Sequence, residues 1–357
     1  MGINYYNGVQ YTTNNDIPTL EEKRKIRKTF NGIGLVLLVT YLFSEVFGNL
    51  AYYLLYLSGH QSTYNEDGLW VVDAIEMIIL GASPAICFLI CFLGYHLFTR
   101  QKFKNMLTTK NVTFPIIIST CILGLFCQQI STFINIGVNI LLNVFNLEVT
   151  FFDFEISTDP MTTSADLISS IILAPIAEEL FFRGIILRKT SKISQHFAIF
   201  FSAFIFGIMH GNPYQFALGF LVGIVFALVT IKTGSLIPAI IGHMVINFNA
   251  SLSTITNIFD EYIYDVIYYP LMIVILGIGF FALCKLNANG HIRFPKYTDY
   301  HRKRTMPIII TSWSTIIVMV FYIIDLIDSI DFIKAPEIQE VITESTQAAF
   351  KFLLSVF

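Results

Sequence analysis

The sequence predicts an all-α fold, a polytopic transmembrane helical bundle of about 8–9 spans with polar residues gathered inside the membrane. Three observations carry that expectation. Of the 357 residues, 55% are hydrophobic and 13% charged, and the mean hydropathy is +0.66. The apolar residues fall in long runs, and roughly 20 residues are what a helix rising ~1.5 Å per residue needs to cross ~30 Å of hydrocarbon. Most charges lie in the connections and in a polar N-terminal stretch, whereas a soluble domain of this size needs polar surface throughout. The net charge of −3 comes without a basic patch interleaved with aromatics, so no nucleic-acid partner is expected.

Residues 1–31 read as a cytoplasmic basic tail ending in Lys23, Arg24, Lys25, Arg27 and Lys28, with no cleavable signal pattern. Spans follow near 32–57, 69–98, 113–145, 163–187, 195–210, 214–232, 236–257, 263–284 and 306–327. They group as N-terminal transmembrane spans over 32–145, a central core over 163–257 and C-terminal spans over 258–327. Segment 335–357 opens with Pro336 and Glu337 and repeats apolar residues at near-helical spacing, which predicts an amphipathic surface helix. The five cysteines (Cys87, Cys91, Cys121, Cys127, Cys284) lie in or beside apolar runs, and their number and spacing suit neither a disulfide framework nor a zinc finger.

Lysine and arginine stay preferentially on the cytoplasmic side of a membrane. They occupy the tail, the second connection (Arg100, Lys102, Lys104, Lys110), the residues after the fourth span (Arg188, Lys189, Lys192), Lys232, and the long connection after the eighth span. Segments 58–68, 146–162 and 258–265 contain neither, yet hold several carboxylates. The alternation predicts a multi-pass protein with its N-terminus cytoplasmic and its C-terminus outside. The membrane would be the plasma membrane in a bacterium and the endoplasmic reticulum in a eukaryote.

Ionisable groups at mid-bilayer cost roughly 2.5–3.5 kcal/mol each. The fourth span nevertheless carries Glu178, Glu179 and Arg183. Glu179 and Arg183 are four residues apart, share a helical face and can pair. Glu178 points about 100° away and needs partners on other spans. His210 ends the fifth span, and His243 and Asn247 share a face of the seventh. Measured from each cytoplasmic end, Glu178 would lie ~15 Å deep, His243 ~14 Å, Asn247 ~20 Å and His210 ~22 Å, so all can meet. Glu45, in the first span, reads as a structural hydrogen-bonding residue. Asp73, Glu76, Asp166 and Asp265 read as interfacial, His60 as an outer-loop residue, and His96, His196, His291 and His301 as solvated.

The series Glu178-Glu179-x-x-x-Arg183, Phe206-x-x-x-His210 and His243-x-x-x-Asn247, with Gly234-Ser-Leu-Ile-Pro238 ahead of the last, resembles the CPBP family of intramembrane proteases. That family includes the type II CAAX prenyl endopeptidases and the abortive-infection-like proteins. The likeness covers spans four to seven and implies an intramembrane endopeptidase with its active site in the 163–257 core. By resemblance, Glu178 would be the general base for a water, His210 would hold that water, and His243 and Asn247 would donate to the oxyanion. Glu179 and Arg183 would support and orient Glu178.

The resemblance firmly implies no cofactor. A divalent metal such as zinc is the one candidate, with Glu178, His210 and His243 as its ligands. A metal-free reading is preferred, because no His-Glu-x-x-His run is present and a metal-bound Glu cannot also act as the free base. The implied partners are the lipid bilayer and a peptide or lipidated-protein substrate, such as a CAAX-type terminus or a leader peptide. Two other classes fit the same polar residues: a proton-coupled secondary transporter, and a non-catalytic membrane immunity or scaffold protein.

Overall fold

The computed structural model describes residues 3–6, 9–12, 20–66, 69–99, 106–150, 154–157, 159–252, 261–288, 308–309 and 311–332. Helices dominate. The first, α1 (Leu20–Leu57), starts twelve residues before the expected span, so the basic stretch of the tail is helical. The physical reason lies in Ile26 and Phe30, which continue the apolar face of Ile33 and Leu37 back through the basic residues. Both are buried against Ile308 and Ile309, with Phe197 and Phe201 packed alongside.

Helix α2 (Ala74–Thr99) is capped by Asp73, whose Oδ1 accepts from the amides of Ile75 and Glu76 at 2.9 and 3.0 Å. Helix α3 (Phe114–Val144) begins with a proline in its first turn. The expected fourth span is a broken helical run made of α4 (Pro160–Leu167), a π turn (Ile168–Leu173), α5 (Ala174–Phe181), a second π turn (Phe182–Leu187) and α6 (Arg188–Thr190). Asp159 caps α4, and its bonds to the side chain and amide of Thr162 hold its carboxyl down to about 2. Then come α7 (Gln195–Ile208), α8 (Pro213–Thr233), α9 (Ile237–Ala250), α10 (Glu261–Ala288) and α11 (Trp313–Asp328). Four of these, α1, α2, α3 and α8, are long and apolar enough to cross a membrane. The π turns split the fourth expected span below that length, and α7, α9 and 270–285 within α10 are apolar but shorter.

Helices α7 and α8 approach closely because glycines face each other. A Cβ on Gly219 would lie 2.9 Å from the Cα of Gly207, and one on Gly223 would lie 2.8 Å from the Cα of Ala203. Small residues at such crossings let backbones touch, the usual means of packing helices in lipid. The main core fills the space between α5, α7, α8 and α9 with Phe181, Phe182, Ile205, Phe206, Phe226 and Ile246.

Short strands decorate the bundle. A hairpin pairs β1 (Ile3–Tyr6) with β2 (Val9–Thr12). In the α1–α2 connection, β3 (Thr63–Tyr64) runs antiparallel to β4 (Trp70–Val72). Past α3, β5 (Leu147–Val149) and β6 (Phe154–Ile156) follow, and β6 joins β4 in parallel. The last strand, β7 (Ile330–Phe332), pairs antiparallel with β5. Two sheets thereby tie together the ends of α1, α3 and α11 and the starts of α2 and α4.

Some polar residues sit elsewhere than expected. His96 is buried, its Nδ1 donating to the Phe92 carbonyl at 3.0 Å, and Glu76 is only 1% exposed. Glu45 is exposed on α1, and its backbone carbonyl, not its carboxylate, accepts the Asn49 amide at 2.7 Å. All five cysteines are free. The expected 335–357 helix, His291, His301, the side chain of Asp265 and the basic residues Arg100, Lys102 and Lys104 lie outside the described residues.

Candidate active site

The polar side chains of α5 meet those of α9 in the centre of the core. Arg183, in the second π turn, and Glu179 are both 0% exposed, with Nη1 3.0 Å from Oε1. His243 from α9 approaches the same carboxylate, its Nδ1 donating to Glu179 Oε1 at 3.2 Å. Glu179 therefore serves a cation and an imidazole through one oxygen. Its bond to Nδ1 sets the tautomer of neutral His243 and turns the Nε2 lone pair outward. That Nε2 lies 3.8 Å from Glu178 Oε2, too far for a direct hydrogen bond. Glu178 Oε2 is buried and has no hydrogen-bond partner.

The Arg183 guanidinium makes no directed hydrogen bond and is sheathed by aromatic faces instead. Its Cζ lies 4.3 Å from the Phe206 centroid and 5.5 Å from that of Phe226. A desolvated guanidinium over an aromatic face gains about 2 kcal/mol, which partly offsets its removal from water. Phe206 also stands edge-on to both imidazoles, 5.2 Å from His210 and 5.7 Å from His243.

His210 follows α7 and donates its Nδ1 proton to the Phe206 carbonyl at 2.7 Å, which leaves Nε2 as its acceptor. Among the described residues no carboxylate lies within ion-pair distance of it, and it joins the cluster through the Phe206 ring.

Asn247 takes its place from a defect in the α4–α5 run. Within the first π turn Ala174 N–H bonds to Ser169 O, so the next carbonyl, Ser170 O, would need the amide of residue 175. Residue 175 is proline and has no N–H. The Asn247 amide fills the gap, donating to Ser170 O at 2.7 Å. One of its two amide hydrogens is thus committed to the backbone, and the other remains for a ligand.

The suggested metal set does not converge. Among the described residues, the group of three carboxylate or imidazole side chains with ligand atoms all within 4.8 Å of one another is His60, Asp73 and Glu76, away from this cluster. Ligand atoms ~2.0–2.2 Å from a common tetrahedral ion sit about 3.3–3.6 Å apart, so Glu178, His210 and His243 as placed do not fit one.

Residues 160–249 match the family model of the type II CAAX prenyl endopeptidase Rce1-like proteins. This segment is similar to the Rce1-like CAAX-protease domain. It covers about a quarter of the 357 residues, from α4 to the penultimate residue of α9, and encloses Glu178, Glu179, Arg183, His210, His243 and Asn247. No curated protein and no solved structure matches the chain. With its long apolar helices, the chain is an integral membrane protein that carries a segment similar to the Rce1-like family.

Three contributors escaped the sequence reading. Ser170 had no visible role, although Pro175 five residues on signals a carbonyl in need of a donor. Phe226 shows no motif spacing, since its contact with Arg183 depends on how α8 crosses α5. Asp325 accepts from the Tyr41 hydroxyl at 2.9 Å and borders Gly211, next to His210. A carboxylate within the last apolar run was the available signal.

Proposed function

We propose that the Rce1-like domain is an intramembrane endopeptidase in which Glu178 activates a water for attack on a peptide bond. The observation that carries this reading is the 3.8 Å gap between Glu178 Oε2 and His243 Nε2, both turned toward the same space. A water about 2.8 Å from each atom bridges such a gap, and a general base acts within hydrogen-bond reach of the proton it takes. Glu178 removes that proton as the oxygen attacks the carbonyl carbon, and passes it to the leaving amine. His210 Nε2, an acceptor by its Nδ1 bond, stands across the Phe206 ring from this pair.

The remaining Asn247 hydrogen donates to the developing oxyanion. One such donor is commonly worth about 2.7–4 kcal/mol. Glu179 and Arg183 hold His243 and the helix in place. No step is routed through a metal. The substrate class is a membrane-associated peptide, a CAAX-type terminus or a leader, and the family match is its sole support.

Nine crossings with a cytoplasmic N-terminus complete the proposal. The pairing of β5 with β7 supports it, because adjacent strands after α3 and α11 require an even number of crossings between them. The decisive variant is Glu178→Gln, isosteric but unable to accept the water proton. Cleavage of a co-expressed substrate is expected to fall at least ~100-fold at unchanged protein level, the lower bound for a lost general base. Undiminished cleavage by this variant excludes Glu178 as the base.

A further inference from the structure

A second cluster of polar side chains lies at the start of α2, in residues outside the Rce1-like domain. Asp73 is the N-cap of that helix and Glu76 its third residue, a reciprocal capping arrangement. Asp73 Oδ1 receives the amides of Ile75 and Glu76. Glu76 Oε2 receives the amide of Asp73 and the indole Nε1 of Trp70, both at 3.1 Å. Each carboxylate thus commits one oxygen to the helix end and turns the other toward His60.

The chain beyond α1 reverses at Gly59, in the left-handed region at φ 87°, and brings His60 over this end of α2. His60 Nε2 lies 3.2 Å from Asp73 Oδ2 and 3.4 Å from Glu76 Oε1. Despite these distances the nitrogen is buried and makes no hydrogen bond, since neither oxygen lies along its axis. The nearby Tyr52 hydroxyl, within Coulombic range of both carboxylates, is likewise buried without a partner.

A tetrahedral ion with ligands at ~2.0–2.1 Å has ligand–ligand edges of about 3.3–3.4 Å, and its oxygens lie about 35° off the nitrogen lone-pair axis. A proton on that axis misses both oxygens, whereas a cation there reaches all three atoms. We propose that His60 Nε2, Asp73 Oδ2 and Glu76 Oε1 form a site for a divalent cation of the zinc class. The imidazole and the small ligand count favour such an ion over calcium or magnesium, which take six or more oxygen ligands. Glu76 is oriented by Trp70, the Asp73 amide and the Ser62 hydroxyl, the kind of outer partners that fix a metal ligand. Asp73, 43% exposed at its side chain, leaves an approach for the ion and a place for water at the fourth position.

The ion would brace the approach to the helix that carries Glu178. Strand β4 ends just before Asp73 and pairs with β6, and Ser157 N–H extends that ladder to Val72 O at 3.0 Å, two residues ahead of the Asp159 cap.

The test uses the purified full chain in detergent, stripped with a chelator, mixed with zinc sulfate and desalted, with retained zinc counted by elemental mass spectrometry. The wild-type chain is expected to keep about one equivalent and to gain thermal stability from it, as an ion bound by the folded state alone must confer. Asp73→Asn preserves the helix cap, since asparagine caps as well as aspartate, but removes the ligand charge. It and His60→Ala are expected to weaken retention at least tenfold, while Glu178→Gln leaves it unchanged. Negligible zinc on the wild-type chain overturns the site. So does equal retention by the wild-type, Asp73→Asn and His60→Ala chains, or loss of zinc in Glu178→Gln alone.

Discussion

Arg183 is a full charge with no exposed surface, and the groups that make this tolerable also shape the candidate active site. Its charge is matched by Glu179, and its faces are covered by Phe206 and Phe226. Glu179 in turn holds His243. Replacing Arg183 with methionine keeps the packing volume but strands a buried carboxylate, a change that costs about 3–5 kcal/mol when one partner of a buried pair is removed. The expected outcome for Arg183→Met is a large drop in the thermal midpoint of detergent-purified protein, with cleavage lost alongside. A midpoint equal to that of the wild-type chain means that Glu179 is satisfied without the guanidinium. The Glu179–Arg183 contact was legible from four-residue spacing. The tie from Glu179 to His243, 64 positions apart, was not, because only the crossing of α5 and α9 creates it.

At the scale of elements, hydropathy placed the helices well, and the departures have local causes. Apolar runs report where a segment is buried, but six residues are too few for their spacing to separate a π turn from an α turn. The first π turn instead answers Pro175, whose ring would clash with a carbonyl one turn back. Start points erred where charge masked an apolar face, as at Ile26 and Phe30.

The contact between α1 and α11 is the tightest of the glycine seams. Ser314 Oγ and Thr315 Oγ1 donate to the carbonyls of Asn31 and Phe30 at 2.8 and 3.1 Å, and a Cβ on Gly34 would stand 2.3 Å from Thr315 N. Backbone cannot yield as a side-chain tip can, so Gly34→Ala must part the two helices. Overpacking of this kind costs about 1–3 kcal/mol. A clear fall in thermal midpoint is expected for Gly34→Ala and none for Gly32→Ala, where a Cβ meets nothing within 4 Å. Equal midpoints in the two variants contradict the close approach.

For the whole molecule, two unrelated observations bear on how the chain lies in its membrane. Lysines and arginines alternate with bare, acidic connections along the sequence. Separately, backbone pairing draws the α1–α2 connection, the α3–α4 connection and the end of α11 to one face. The first two are connections that lack lysine and arginine, so hydrogen bonding and charge segregation select the same face for them without sharing a cause. Single cysteines placed in a cysteine-free background test the agreement. Thr63→Cys lies in β3 and is exposed, and Lys110→Cys lies in the basic second connection and is exposed. In intact cells, or sealed vesicles of known orientation, a membrane-impermeant maleimide is expected to label position 63 from the outer or lumenal side and position 110 only after permeabilisation. The reverse pattern inverts the topology. Labelling of both from one side removes α2 as a crossing, and the β4–β6 pairing then removes α3 as well, because only an even number of crossings can separate those two strands.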